Sequence, residues 1–124
     1  MKALINFANT TGVTPTLLNA VEDVNTKQLE YIISIIKNRL GGLSSKRITI
    51  LGTAFKPNTD DIRDSISIEL IKKLQKRNAN IIIHDPKAME NTKRVFGNKI
   101  RYGRTVADAL SKSQCVIILS LIHI

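Results

Sequence analysis

Residues 48–64 read Ile48-Thr-Ile-Leu-Gly-Thr-Ala-Phe-Lys-Pro-Asn-Thr-Asp-Asp-Ile-Arg-Asp64, and three kinds of structure succeed one another within them. Ile48 to Leu51 is a short, β-branched apolar run that ends at Gly52, the pattern of a buried strand. Phe55 to Asp64 is polar, charged and punctuated by Pro57, the pattern of a loop. Beyond it Ile66, Leu70, Ile71 and Leu74 recur at near-helical spacing. Strand, long loop and helix in that order form the opening of a β-α-β unit. In open α/β sheets ligands sit where such loops leave the carboxyl ends of the strands, so this loop is the candidate site.

Moving toward the C-terminus, the alternation repeats. A helix is expected over 65–77, its start lying between Asp61 and Ser65. Asn78-Ala79-Asn80 is a turn, and Ile81 to His84 is a second strand closed by Asp85-Pro86. Lys87 to Phe96 suits a helix stopped by Gly97-Asn98. Ile100 to Tyr102 is a short strand, Val106 to Lys112 a helix, and Val116 to Leu119 an apolar fourth strand. Strands alternating with helices imply a parallel sheet with right-handed crossovers. The fold class is therefore α/β: a Rossmann-like parallel sheet of about four strands, β-α-β-α-β-α-β, preceded by a helical arm.

That arm lies toward the N-terminus. Ala3, Leu4, Phe7 and Ala8 have helical spacing, and Thr11-Gly12 breaks the pattern. Thr14 is a good N-cap and Pro15 suits a first turn, where its missing N–H costs nothing. One long helix is expected from Pro15 to Leu40, roughly 38 Å at 1.5 Å per residue, ended by Gly41-Gly42. Its far half carries Leu29, Tyr31, Ile32, Ile33, Ile35, Ile36 and Leu40, more than one apolar stripe. One face has a partner within its own domain. The other is expected to meet a second surface, from another subunit or another part of a longer chain.

Composition bounds the function. The 124 residues suffice for one compact core without disulfides or metals. No run of 18 apolar residues occurs, so no membrane span is expected, and the N-terminus lacks a signal-peptide pattern. The lone Cys115 excludes an internal disulfide and fits a reducing compartment, which makes the cytoplasm the expected location. The net charge of +9 suits an anionic partner. Nucleic acid is not expected, because the basic residues are scattered and aromatics make up only 4%.

Several side chains near the loop bear chemistry. Lys56, held extended by Pro57, is placed to meet a phosphate or simply to be solvated. Asp60, Asp61 and Asp64 read as caps and braces of the following helix, with Arg63 bracing the loop or reaching an anion. Gly52 does not begin the Gly-x-Gly-x-x-Gly spacing that a pyrophosphate needs. Asp85 reads as a turn residue, and Cys115 as filling for a buried strand. His84 and His123 lack metal-ligand spacing, and no metal is expected.

The segment Leu51-Gly52-Thr53-Ala54-Phe55-Lys56-Pro57-Asn58-Thr59-Asp60-Asp61-Ile62-Arg63-Asp64-Ser65 resembles a signature of the UDP-glucose/GDP-mannose dehydrogenase family, Leu-Gly-Leu-Ala-Phe-Lys-Pro-x-Thr-Asp-Asp-x-Arg-Glu-Ser-Pro. Ile81 to Pro86 with Lys87-Ala88 resembles the family's strand and Tyr-Asp-Pro-x-Ala. Ala109 to Leu119 is similar to its last Rossmann strand, and Leu18 to Asn25 to the opening of its long central helix. Lys2-Ala-Leu resembles the residues directly after its catalytic Cys-x-Pro-Lys-Asp motif. The resemblance implies residues 1–43 as the end of a central dimerisation region and 44–124 as a truncated nucleotide-sugar-binding domain.

It further implies an NAD-dependent oxidation of the C6 alcohol of UDP-glucose, or a related UDP or GDP sugar, to the uronic acid. Phe55 and Lys56 would contact the nucleotide sugar, and Arg63 an NAD held by another domain. The Pro15–Leu40 helix would form a homodimer. The catalytic cysteine motif would end one residue before Met1, so this chain is expected to carry no catalytic residue, to bind no NAD alone and to be inactive by itself. Thr53, Asp64 and Ile66 depart from the family's Leu, Glu and Pro. Where the family continues Thr-Glu-Trp, Ser120 runs into Leu121-Ile122-His123-Ile124, as in a chain cut or shifted in frame. A non-catalytic Rossmann-like binding or assembly module is the alternative.

Overall fold

The computed structural model describes residues 1–119, which fall into two compact units, Met1–Ile35 and Ile36 onward. The tail Ser120–Ile124, where the family pattern breaks, lies outside the described residues.

The first unit contains helix α1 (Lys2–Thr10) and most of helix α2 (Thr16–Leu40). α1 buries none of its residues. The Pro15 carbonyl accepts from the Asn19 amide at 2.9 Å, so the helix starts one residue later than the sequence pattern suggests. At the far end Gly41 takes φ 68°, and the Gly42 amide reaches back to the Lys37 carbonyl at 2.9 Å. That left-handed stop with a six-to-one bond is a Schellman motif, and glycine enters it without a Cβ clash. The apolar excess of α2 resolves into two stripes. Leu29, Ile33 and Ile36 are buried, whereas Leu17, Val21, Val24, Tyr31 and Ile35 are exposed.

The second unit holds β1 (Arg47–Leu51), α3 (Ile66–Gln75), β2 (Asn80–His84), α4 (Met89–Phe96), β3 (Arg101–Tyr102), α5 (Val106–Leu110) and β4 (Cys115–Ile118), with a 3-10 turn over Gly97–Lys99. Among the described residues the four strands form one parallel sheet in the order β3-β2-β1-β4. In that order the chain moves outward from β1 on one side, then returns to place β4 on the other. The crevice at the carboxyl ends of β1 and β4 is the topological switch point. Ile48, Ile50, Leu51, Ile81 and Ile83 are buried, as expected of central parallel strands.

α3 packs its stripe Ser67, Leu70, Ile71 and Leu74, which recurs at helical spacing. Ile66, which the spacing groups with that stripe, is 47% exposed, because it is the first residue of the helix and points off the face. β4 also departs from expectation. Among the described residues it borders only β1; Val116 and Ile118 remain 42% and 52% exposed, and Cys115 is half-buried rather than core filling. Partial burial pushes the Cys115 thiol above its usual range.

Candidate functional site

The loop leaves β1 at Gly52, whose amide donates to the His84 carbonyl at 3.0 Å. The next two residues are fastened from several directions. The Asp85 carboxylate accepts the amides of Thr53 and Ala54 at 2.7 and 3.0 Å. Two serines at the start of α3 donate to loop carbonyls, Ser65 to Thr53 at 2.7 Å and Ser67 to Gly52 at 2.8 Å. The buried Thr53 hydroxyl meets the Thr92 hydroxyl at 2.9 Å. That pairing explains how a threonine stands where the family has leucine: a hydroxyl in the core is tolerated once it has a partner.

Past these anchors the chain bends outward. Phe55, 50% exposed, donates its amide to the Asp61 carbonyl at 2.7 Å, which closes the loop at its neck. The exposed Lys56 ammonium stands 5.7 Å from the Phe55 ring centroid, a cation–π distance. Pro57 and Asn58 form the turn at the tip. Asn58 takes φ 58°, a conformation asparagine tolerates better than most residues. The Thr59 hydroxyl returns to the Lys56 carbonyl at 3.0 Å. A cation and an aromatic face therefore project together from a rigid base.

The acidic residues do not cap α3 as expected. The helix begins at Ile66, behind Ser65, too far along the chain for Asp60 or Asp61, and the Ser65 hydroxyl is spent on the Thr53 carbonyl. Asp61 instead grips Arg63. Its Oδ1 accepts the Arg63 amide at 2.9 Å and Nε at 3.0 Å, and its Oδ2 accepts Nη2 at 2.8 Å. Those hydrogen bonds from Arg63, reinforced by its charge and more weakly by Lys56, bring the Asp61 carboxyl down to about 2. Asp64 sits in a turn at φ 56°. Asp60, Asp61, Ile62, Arg63 and Asn91 line an open cleft of about 440 Å³. Neither Phe55 nor Lys56 is among its lining residues. The loop thus presents two surfaces: the Phe55–Lys56 bend and the Arg63 cleft.

Asp85 is the residue the sequence pattern undervalued. It stands at the end of β2, where dinucleotide folds keep a ribose-binding acid, yet it is only 2% exposed. Burial opposes its ionisation, but four backbone N–H donors outweigh that and hold its carboxyl below the usual range. Its Asp-Pro setting after an apolar strand was the available signal. Among the described residues no group of three His, Cys, Asp or Glu is placed to hold a metal. No helix there is long and apolar enough to cross a membrane.

A parallel sheet with this strand order and a clamped polar loop at the end of β1 defines a Rossmann-like α/β domain that lacks the glycine cradle for a dinucleotide. Residues 49–121 match the family model described as the UDP-glucose/GDP-mannose dehydrogenase family, UDP binding domain. The chain belongs to that family. It is 36% identical over 118 residues to a UDP-glucose 6-dehydrogenase of Bacillus subtilis, covering 95% of this chain and 27% of the relative. It is 40% identical over 116 residues to one of Haloferax volcanii, covering 94% and 26%. A solved UDP-glucose dehydrogenase from Pyrobaculum islandicum superposes with a TM-score of 0.87 at 36% identity, covering 96% of this chain and 28% of that one. The chain spans about a quarter of the length of the curated relatives it matches.

Proposed function

We propose that this chain supplies one wall of the nucleotide-sugar site of an NAD-dependent dehydrogenase that oxidises the C6 alcohol of UDP-glucose, or a related nucleotide sugar, to the uronic acid. The observation that carries the reading is the Phe55–Lys56 bend, held at the carboxyl end of β1 with its ammonium over its ring. In this reading Lys56 neutralises diphosphate charge, and Phe55 offers an apolar face to the nucleotide sugar. Residues 44–124 form the nucleotide-sugar-binding portion, and residues 1–43 the end of a central helical region. The setting is cytoplasmic.

NAD has no cradle among the described residues. Gly52 stands alone at the end of β1, and Asp85 is buried and fully engaged, so it is unable to hold a ribose. The part left to this chain is Arg63, whose 87% exposed side chain would face a cofactor held elsewhere. No step of the oxidation is assigned to these residues. The chain alone binds the nucleotide sugar without reducing NAD. Calorimetric titration of UDP-glucose into wild type and Lys56→Ala tests this: binding to the first and a loss of at least tenfold in the second are expected.

A second reading rests on the exposed stripe of α2. Leu17, Val21, Val24, Tyr31 and Ile35 are spaced four, three, seven and four residues apart, a heptad seam with Gln28 at the position in the seven-residue gap. That seam supports a homodimer through the Pro15–Leu40 helix. If wild type and Lys56→Ala both fail to bind nucleotide, an assembly module is the better description.

A further inference from the structure

We propose that Asp85 is a positioning residue: its buried carboxylate holds the Thr53–Lys56 segment in place and so aims the Phe55–Lys56 pair. The relevance to a ligand rests on the nucleotide-sugar reading above; the mechanical role does not.

The geometry separates this role from ordinary turn-making. Oδ1 accepts the amides of Lys87 and Ala88, each at 2.8 Å, and so closes the turn into α4. A turn residue needs nothing more. Oδ2 faces the other way, across to the loop after β1, and accepts the amides of Thr53 and Ala54 at 2.7 and 3.0 Å. Thr53 Oγ1 lies at 3.4 Å from the same oxygen. An ionised carboxylate has about four lone-pair sites, and these four amides occupy them. Asp85 therefore has no acceptor left for a ribose hydroxyl.

The consequence reaches Phe55 directly. Ala54 is the last residue before the exposed bend, and the next tie is the Phe55 amide to the Asp61 carbonyl. Asp85 fixes the entry to the bend, and Ser65 and Ser67 fix the carbonyls of Thr53 and Gly52 just before it. Replacing one carboxylate oxygen by an amide nitrogen turns two accepted bonds into donor–donor conflicts. Asp85→Asn therefore breaks one of the two links while nearly preserving shape.

The test is residue-resolved amide exchange of wild-type chain and Asp85→Asn, with UDP affinity measured on both. The expected result is a rise of at least tenfold in exchange at Thr53, Ala54 and Phe55. The sheet amides of Ile50 and Ile83 stay within about twofold, and UDP binds at least tenfold more weakly. Unchanged exchange at Thr53–Phe55 with the Lys87 and Ala88 amides also unchanged, or an equal rise at the sheet amides, overturns the proposal; the second outcome marks a purely structural acid. If Asp85→Asn does not fold, or loosens only the Lys87 and Ala88 amides because its oxygen stays on the loop side, acid titration of the wild type decides. The amides of Thr53, Ala54, Lys87 and Ala88 are expected to shift with a common midpoint, and those of Phe55 and Lys56 to follow it. Silence of Phe55 and Lys56 contradicts positioning. Wild type that binds no UDP while the exchange pattern holds refutes the nucleotide-sugar reading and leaves the clamp standing.

Discussion

Arg63 donates Nε and Nη2 to the two carboxylate oxygens of Asp61, at 3.0 and 2.8 Å, so the guanidinium is held by a residue of its own loop. The contact is bidentate, the arrangement in which arginine binds carboxylates best. It holds the guanidinium in a fixed direction at the cleft. The Asp61 carboxyl, held at about 2, is ionised both free and folded at neutral pH. Because its folded value lies below its unfolded one, the fork is complete above the ordinary aspartate range and is lost as pH falls through about 2. A carboxyl-detected titration should place its midpoint there, and Arg63→Ala should move the midpoint upward. The pair is exposed, so melting temperature should scarcely respond to either change.

Gly103 comes directly after β3 and donates its amide to the Ile83 carbonyl at 2.8 Å. A Cβ at this position would stand 2.5 Å from the Ala109 Cβ and 2.7 Å from its Cα. Since the obstacle includes backbone of α5, it has little freedom to yield. Gly103→Ala should cost about 1–3 kcal/mol, the usual range for overpacking, by denaturant unfolding. Adding Ala109→Gly should restore part of the loss.

Ile66 occupies the first position of α3 behind Ser65, whose backbone is extended at φ −68° and ψ 128°. An extended residue followed by a first-turn position is the setting that proline accepts. Ile66→Pro should leave stability unchanged or raise it by about 0.5–1 kcal/mol through a stiffer unfolded chain. Chemical denaturation reads this out, and a loss above about 1 kcal/mol would mean the Ile66 amide is needed.

The exposed stripe of α2 gives a test of assembly. If two copies meet there, Val24→Lys with Tyr31→Lys should convert dimer to monomer in sedimentation equilibrium without loss of helical signal. Both residues line a groove with Lys27 and Gln28, so added lysines would face like charge. An unchanged mass would move the interface elsewhere.

The order of elements was legible because each depends on local pattern. The run Ile48–Leu51, the Ile81–His84 strand and the Gly41-Gly42 stop were read within a residue or two of where they lie. Both stripes of α2 were foreshadowed by too many apolar residues for one face. What escaped was set by tertiary position. Cys115 looked like core, but nothing in the local pattern reveals that among the described residues β4 lies at the end of the sheet, beside β1 alone. Asp60, Asp61 and Asp64 looked like caps because the local pattern leaves the helix start open between Asp61 and Ser65, and the fold takes the later end of that range, spending Ser65 on the Thr53 carbonyl. Asp85 looked like a turn residue because two of its four partners lie more than thirty residues away, at Thr53 and Ala54.

The claim that matters most is that the Phe55–Lys56 bend meets the nucleotide sugar. Titrating UDP-glucose into the isotopically labelled chain, with amide shifts tracked residue by residue, tests it most directly. Saturable shifts centred on Ala54 to Lys56, abolished in Lys56→Ala, are the expected result. Saturable shifts centred elsewhere, or shifts at the bend that persist unchanged in Lys56→Ala, would contradict it.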